Sequence, residues 1–157
     1  VKREELHKKI ENADIIYVGG GNTAYMMKVW QEYAVDKALM KAYKSGKVLS
    51  GLSAGSICWF IAGHCDSEFI EGRENPKYKW VKGLGIIPYL HCPHYDEPER
   101  ATFDEFYSGQ IADAIALENQ VAIVWDDYEM KVIKSNPHKN AYHLSWSDTG
   151  LNKEVLL

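Results

Sequence analysis

Residues 47–59 constrain the fold of this chain more than any other stretch. A short apolar segment, 47–52, runs into the pattern Gly51-x-Ser53-x-Gly55, and further apolar residues follow. This order predicts a buried strand, a sharp turn at Ser53 and the start of a helix. A serine at such a turn has a strained backbone, and small residues on either side let the chain close there.

The predicted turn would also present a hydroxyl for chemistry. It directs the Ser53 side chain away from the carboxyl end of the strand, and it aims the backbone N–H of Ala54 at the space in front. Such a donor is half of an oxyanion hole. The alternative is that small residues here only let a helix pack closely on a strand, and this pattern alone favours neither interpretation.

A second glycine-rich segment follows an earlier apolar strand, residues 13–18. The sequence Gly-Gly-Gly-Asn-Thr at 19–23 lets backbone N–H groups approach a ligand, and Asn22 and Thr23 are typical helix caps. The segment lacks the Lys-Ser/Thr pair of a phosphate-binding P-loop and the G-x-G-x-x-G spacing of a dinucleotide site. A phosphate cradle is therefore not favoured.

The remaining periodicity indicates an α/β fold. An amphipathic helix over 1–12 precedes the first strand, helices over 25–33 and 36–43 follow it, and Gly46 caps the last of these. Alternating strands and helices predict a mostly parallel sheet with crossover helices on both faces. Further along we expect a polar loop at 63–76, a turn that leads into a strand within 79–90, a helix over 97–111, and strands at 115–118, 121–125, 130–133 and 141–146. No linker or repeat interrupts the chain, so we expect one domain over 1–157.

Composition excludes some partners. The net charge is −4 without a basic block, which argues against nucleic-acid binding, and no apolar run approaches the ~20 residues of a membrane span. Cys58, Cys65 and Cys92 are an odd number without a metal-type pair, which fits a reducing cytoplasm.

Polar residues follow several strands, where open α/β sheets form their sites. The glycine loop, Ser53, His94 and Glu118 each come directly after an apolar segment. A serine hydroxyl needs a base to take its proton, and histidine with an orienting carboxylate suits this task. His91, His94 and Asp96 could instead be metal ligands, but no further Cys/His cluster completes the set, so we predict no metal and no cofactor.

Three motifs in order, the loop 19–23, the elbow 51–55 and Pro93-His94-Tyr95, resemble the peptidase E (aspartyl dipeptidase) family. The resemblance covers most of the chain. It implies a class I glutamine amidotransferase-like fold, flavodoxin-like in three layers, and a serine-type peptidase that cleaves small peptides. Dipeptides with an N-terminal aspartate are one implied substrate class, and Arg73 and Arg100 are possible sources of the cation for that side chain.

The resemblance also implies residue roles. Ser53 corresponds to the nucleophile, His94 to the general base, and Glu118 to the acid of a Ser-His-Glu triad. Asp66 corresponds to another family acid and is the alternative third member. We favour Glu118, because it ends an apolar strand where a carboxylate can be held rigidly.

The backbone donors of the oxyanion hole are implied to be Gly21 and Ala54. Gly20 and Asn22, in the same glycine loop, are expected to contact the substrate.

The sequence departs from the family at its start, where members usually have a further strand-helix-strand section. We therefore expect an N-terminally shortened domain, either a fragment or processed form or the product of a short gene. Sheet edges would then be uncovered, and an identical copy or the missing section would cover them. This departure raises an alternative, an inactive remnant or assembly subunit. A further alternative is an amidase, esterase or cyanophycinase-like hydrolase.

Overall fold

Ten strands and six α-helices make up the part of the chain that the computed structural model describes, residues 2–127 and 129–157. The helices are α1 (Arg3–Asn12), α2 (Thr23–Tyr33), α3 (Val35–Lys44), α4 (Ala54–Ile57), α5 (Ser67–Ile70) and α6 (Phe103–Phe106). The strands are β1 (Ile15–Val18), β2 (Val48–Gly51), β3 (Phe60–Cys65), β4 (Lys79–Lys82), β5 (Ile87–Cys92), β6 (Ala114–Leu117), β7 (Val121–Trp125), β8 (Met130–Lys134), β9 (Ala141–Ser147) and β10 (Gly150–Leu156).

The strands form three hydrogen-bonded groups. β1 and β2 pair in parallel, β7 and β8 form an antiparallel hairpin, and the other six strands are ordered β10-β9-β6-β5-β3-β4. The centre of this larger sheet, β3, β5 and β6, is parallel, whereas β4, β9 and β10 join it antiparallel. The predicted α/β class is confirmed, and antiparallel strands extend the parallel centre on both sides.

Strand β6 shows that both faces of the six-stranded sheet are covered. All four of its residues are buried, as in a strand at the centre of an α/β sheet. Ile115 and Leu117 pack with Met27 and Leu39 of α2 and α3, whereas Ala114 and Ala116 pack with aromatic residues on the other face. The alternation of side chains along a strand thus divides the hydrophobic core into two layers.

The early helices begin and end where local chemistry predicts. Asn22 caps α2, because its Oδ1 accepts a hydrogen bond from the N–H of Tyr25 at 2.9 Å. Gly46, with φ 83°, follows the end of α3 in the left-handed conformation that glycine adopts readily.

The segment after the elbow differs from the sequence prediction. The elbow helix α4 has only four residues and leads at once into β3, which occupies the beginning of the region predicted as a polar loop. Its partner β4 forms at the start of 79–90, where the sequence predicts a turn, and the predicted strand follows as β5. Over 97–111 the chain forms only a short 3-10 turn and the four-residue α6. These pairings join residues far apart in sequence, so local periodicity does not show them.

The elbow strand and helix lie in unusually close contact with β1. A methyl group at Gly55 would lie 2.1 Å from the carbonyl oxygen of Val18, and one at Gly51 would lie 2.2 Å from the carbonyl oxygen of Gly55. Both distances are far shorter than a van der Waals contact. Both neighbouring atoms belong to the backbone, so they cannot move away by a side-chain rotation. Only glycine fits at these two positions.

In the described residues, no helix has the length and apolar character needed to span a membrane.

Gly55→Ala should therefore lower the free energy of unfolding by at least about 3 kcal/mol, because the new methyl group must separate α4 from β1. Urea denaturation followed by circular dichroism would measure the loss. Gly19→Ala is the matched control, since a methyl group there meets no atom within 4 Å. Equal stability of the two variants would contradict the close-contact explanation.

Candidate active site

Ser53 occupies the strained turn between β2 and α4. Its backbone has φ 55° and ψ −120°, a conformation that residues other than glycine rarely adopt. Within the described chain, the Ser53 hydroxyl has no hydrogen-bond partner, and neither does the N–H of Ala54 directly after it. The turn therefore presents an unengaged hydroxyl beside an unengaged backbone donor.

The glycine loop after β1 lies over this serine. A methyl group at Gly20 would lie 3.3 Å from Ser53 Cβ and 3.7 Å from its Oγ, so only a small residue leaves the hydroxyl open. Gly21 has φ 137°, and its N–H makes no hydrogen bond within the described residues. Asn22 Nδ2 donates to Glu71 Oε1 at 2.9 Å and so ties the loop to residues beyond β3.

His94 follows β5 and also has a left-handed backbone, with φ 56°. Its Nδ1 lies 2.7 Å from Asn119 Oδ1 and 3.5 Å from Glu97 Oε1. Because the amide oxygen can only accept, Nδ1 is the protonated nitrogen and Nε2 remains free for another proton. Asn119 Nδ2 in turn donates to Glu97 Oε1 at 3.0 Å, so the histidine, the amide and the carboxylate form one network.

Glu118, predicted from the resemblance to be the triad acid, directs its carboxylate elsewhere. Its Oε2 accepts from the N–H of Asn140 at 2.8 Å, and its Oε1 accepts from the hydroxyl of Tyr142 at 3.2 Å. The structure thus brings His94 together with Asn119, the next residue along the chain. The triad role of Glu118 remains a prediction.

Asp66, the alternative acid, belongs to a different cluster. Its Oδ2 accepts from the guanidinium of Arg100 at 3.0 Å, and Arg100 is buried with 4% of its surface exposed. The same guanidinium donates to the Nδ1 and the backbone carbonyl of His64, at 3.0 and 3.1 Å. Asp66 therefore balances a buried cation.

A cavity of about 800 Å³ connects the two predicted reacting groups. Ser53, His94 and Asn119 all line it. Much of its wall is apolar and comes from β2, β7, the segment around the elbow, the start of β5 and the end of β6: Val48, Leu49, Leu52, Trp59, Phe60, Ile86, Ile87, Leu117, Val121, Ile123, Val124 and Trp125.

The charged groups on this wall are already engaged. Lys47 Nζ donates to the carbonyl of Ala13 at 2.7 Å, and Asp127 accepts a hydrogen bond from the hydroxyl of Tyr43. Asp126 accepts from the N–H of Glu129 at 2.9 Å. Glu118 is held as described above, so each of these four charged groups on the wall already makes a hydrogen bond to a neutral group of the protein.

Several of these contacts could not be read from the sequence. Asn119, Glu97 and Ser56 carry no motif of their own, and only their positions beside predicted residues single them out. His91, weighed as a metal ligand, is instead bonded to Ser56 Oγ through Nε2 and to the carbonyl of Ile115 through Nδ1. Among the described residues, no group of three or more His, Cys, Asp or Glu side chains is arranged to hold a metal ion.

Two buried histidines have strongly altered pKa values. Burial lowers the pKa of His91 to about 4, and burial together with the nearby Arg100 cation lowers the pKa of His64 to about 3. Both rings are therefore neutral at neutral pH. Burial also raises the pKa of the Cys58 and Cys92 thiols, so these cysteines are not activated nucleophiles.

A serine on a strained strand-to-helix turn, a glycine loop above it and a histidine after a strand of the larger sheet define the nucleophile-elbow class of α/β proteins. Comparison with protein families matches residues 1–133 to peptidase family S51. The match covers most of the chain, and the protein belongs to this family.

Among its relatives is the uncharacterized peptidase YgaJ of Bacillus subtilis, 32% identical over 148 residues, which are 92% of this chain and 61% of that protein. Peptidase E of Nostoc sp. is 31% identical over 94 residues, which are 59% of this chain and 36% of that protein. The chain thus spans about three fifths of the first relative's length and less of the second.

Solved structures share the fold. A candidate peptidase E protein of Listeria monocytogenes EGD-e superposes with a TM-score of 0.67 at 20% identity, over 87% of this chain and 67% of that one. A peptidase of an acI-B1 Actinobacterium superposes with a TM-score of 0.66 at 20% identity, over 99% of this chain and 64% of that one.

The buried histidines should make the protein less stable as the pH falls from about 6.5 towards 4. Unfolded histidines, with a pKa near 6.5, bind protons in this range, whereas folded His91 and His64 do not. Each contributes up to about 1.4 kcal/mol per pH unit. Urea unfolding between pH 4.5 and 7 would measure the slope.

His91→Asn should reduce this slope, whereas His138→Asn, at an exposed site, should leave it unchanged. An unaltered slope in His91→Asn would contradict the assignment.

Proposed function

We propose that this chain carries the catalytic site of a serine-type peptidase that cleaves small peptides. The observation that carries the proposal is the cavity lined by both Ser53, on its strained turn, and His94. Membership of peptidase family S51 supports the same reaction class. An unengaged hydroxyl that shares a cavity with an imidazole and lies beside a free backbone N–H suits acyl transfer.

In the proposed reaction, Ser53 Oγ attacks the scissile carbonyl carbon while His94 Nε2 takes the hydroxyl proton. The N–H groups of Ala54 and Gly21 stabilise the negative oxygen of the tetrahedral intermediate. The C–N bond then breaks, and His94 returns the proton to the leaving amine. A water molecule, deprotonated by His94, attacks the acyl-enzyme, and the acid product and free Ser53 are released.

The contacts favour Asn119 as the group that orients the base, with Glu97 supplying negative charge nearby. Asn119 Oδ1 accepts from His94 Nδ1 at 2.7 Å and fixes the tautomer that leaves Nε2 free. Cysteine peptidases with a Cys-His-Asn arrangement show that an amide can hold this place. Glu118, implied by the resemblance, holds the adjacent strand ends through Asn140 and Tyr142.

The cavity favours a substrate with an apolar side chain. An N-terminal aspartate, which the resemblance implies, needs a cation, but Arg100 is bonded to Asp66 and Arg73 is paired with Glu68 and Glu71. Neither arginine is among the described residues that line the cavity, and the lysine that does line it, Lys47, donates its Nζ to the Ala13 carbonyl. Burying an unpaired carboxylate is unfavourable, whereas an apolar side chain would gain contact with this wall.

Ser53→Ala should lose about 10⁴-fold or more in turnover, because the attacking oxygen is removed. The measurement is hydrolysis of leucyl and aspartyl p-nitroanilides together with intact mass after treatment with a small fluorophosphonate. One adduct should form on the unsubstituted chain, with the Oγ–P bond replacing P–F and fluoride leaving, and none on Ser53→Ala.

Ser45→Ala is the matched control, since it removes a serine hydroxyl whose hydrogen-bond partner among the described residues is the Ala42 carbonyl. The leucyl substrate should be hydrolysed at least tenfold faster than the aspartyl one. Retained turnover in Ser53→Ala would overturn the mechanism. Preference for aspartate would overturn the substrate class alone.

Asn119→Ala should reduce kcat about 10²-fold or more with little change in KM, because His94 loses its orienting acceptor. Glu118→Gln keeps the size of the side chain and should reduce kcat less than tenfold. Asp66→Asn should affect the stability of the fold and not kcat. Steady-state kinetics of the three variants would rank them. A larger loss of kcat in Glu118→Gln than in Asn119→Ala would restore Glu118 as the triad acid.

A further inference from the structure

A second serine and a second histidine lie close in sequence to the proposed reacting pair. Ser56 follows Ser53 by three positions, and His91 precedes His94 by three positions. Ser56 Oγ lies 2.9 Å from His91 Nε2, within hydrogen-bond distance. Ser53, in contrast, has no hydrogen-bond partner for its hydroxyl within the described chain.

The tautomer of His91 follows from its other contact. Nδ1 lies 2.8 Å from the carbonyl oxygen of Ile115, which can only accept, so Nδ1 carries the hydrogen. The ring is fully buried and stacks on Phe60 with centroids 4.1 Å apart. Since the buried ring is neutral, Nε2 accepts, and the Ser56 hydroxyl is the donor that reaches it.

The Ser56 hydroxyl has a second acceptor within reach, because Oγ also lies 2.7 Å from the carbonyl oxygen of Ser53. One hydroxyl hydrogen thus lies between the backbone of the strained turn and the ring of His91. Through this contact the short helix α4, which begins directly after Ser53, is joined to β5, the strand that leads to His94.

We propose that Ser56 and His91 form a positioning pair that sets the distance between Ser53 and His94. The inference rests on the proposed function, because it concerns alignment for that reaction. Helix α4 has only four residues, and within the described chain Ser53 makes no hydrogen bond to His94, so their relative placement depends on other contacts. The pair joins a half-buried serine to a buried histidine, and it is a polar side-chain contact between the two elements that lead from and to the proposed reacting groups.

Alignment of this kind has large kinetic effects, since a displacement of about 1 Å can cost about 10²-fold in rate. Loss of the pair should therefore slow acylation of Ser53 more than it weakens substrate binding. A residue that only stabilised the fold would reduce the folded fraction and leave the reactivity of folded molecules unchanged.

The test compares Ser56→Ala, Ser56→Thr and His91→Asn with the unsubstituted chain. His91→Asn keeps an N–H for the Ile115 carbonyl but removes the acceptor for Ser56. The measured quantity is the rate of Ser53 modification by a small fluorophosphonate, divided by the folded fraction from circular dichroism. We expect a loss of about tenfold or more in Ser56→Ala and His91→Asn, and a rate within about threefold in Ser56→Thr.

The double variant Ser56→Ala/His91→Asn should be no slower than the slower single variant, because both remove the same contact. Ser45→Ala, which loses a similar hydroxyl-to-carbonyl bond on α3, should react at the unsubstituted rate. A normal rate in folded Ser56→Ala, or no rescue by threonine, would overturn the positioning role.

If the unsubstituted chain forms no adduct with the fluorophosphonate, the proposed function fails. Crystal structures can still test whether Ser56 and His91 position Ser53 relative to His94. The separation of Ser53 Oγ from His94 Nε2 should then differ by about 1 Å or more between the unsubstituted chain and Ser56→Ala. An unchanged separation would overturn the positioning role.

Discussion

The close approach of the elbow to strand β1 is the contact on which the candidate site depends. Gly55 lies so near the carbonyl of Val18 that no side chain fits between them, and Gly51 is equally restricted by Gly55. This packing forces Ser53 into a backbone conformation with φ 55°. The strained conformation persists because the packing around it is favourable enough to offset its cost. Strained backbones of this kind are common at functional sites.

Hydrogen bonds around His94 complete the site from the other side of the cavity. His94 is held through Nδ1 by Asn119, and Asn119 is held in turn by Glu97 and, through its backbone N–H, by Asp96 at 2.7 Å. Asp96 is balanced by Lys139, whose Nζ lies 2.5 Å from its Oδ2. The imidazole is therefore at the end of a chain of contacts that extends to the surface.

Three basic residues near the end of β3 are held away from the lining of the cavity by acidic partners. Arg100 is compensated by Asp66 and packs against Tyr78, 5.1 Å from the ring centroid, while Arg73 and Lys79 are compensated by acidic residues of the segment after β3. The cavity wall keeps an apolar surface beside a polar edge formed by Ser53, His94 and Asn119. Burying an unpaired charge against such an apolar surface is unfavourable.

The sequence by itself determined the local features whose causes are local. Periodicity predicts helices α1 to α3 and strands β1, β2 and β7, and the glycines around Ser53 predict the turn, because steric limits on φ and ψ act between neighbouring residues. The order of the motifs also indicated the family. The sequence could not show that β3 follows a four-residue α4, because β3 is defined by its pairing with β4 and β5, which lie farther along the chain.

The tertiary structure alone decided which polar groups meet. Glu118 and Asn119 are adjacent in sequence, yet successive side chains after a strand point to different sides, and the one near His94 is the amide. Arg100 meets Asp66 across 34 positions, and Ser56 meets His91 across 35. Such partners are selected by the geometry of the packed sheet and by the cost of leaving buried polar groups unpaired, and neither quantity is visible in a single sequence.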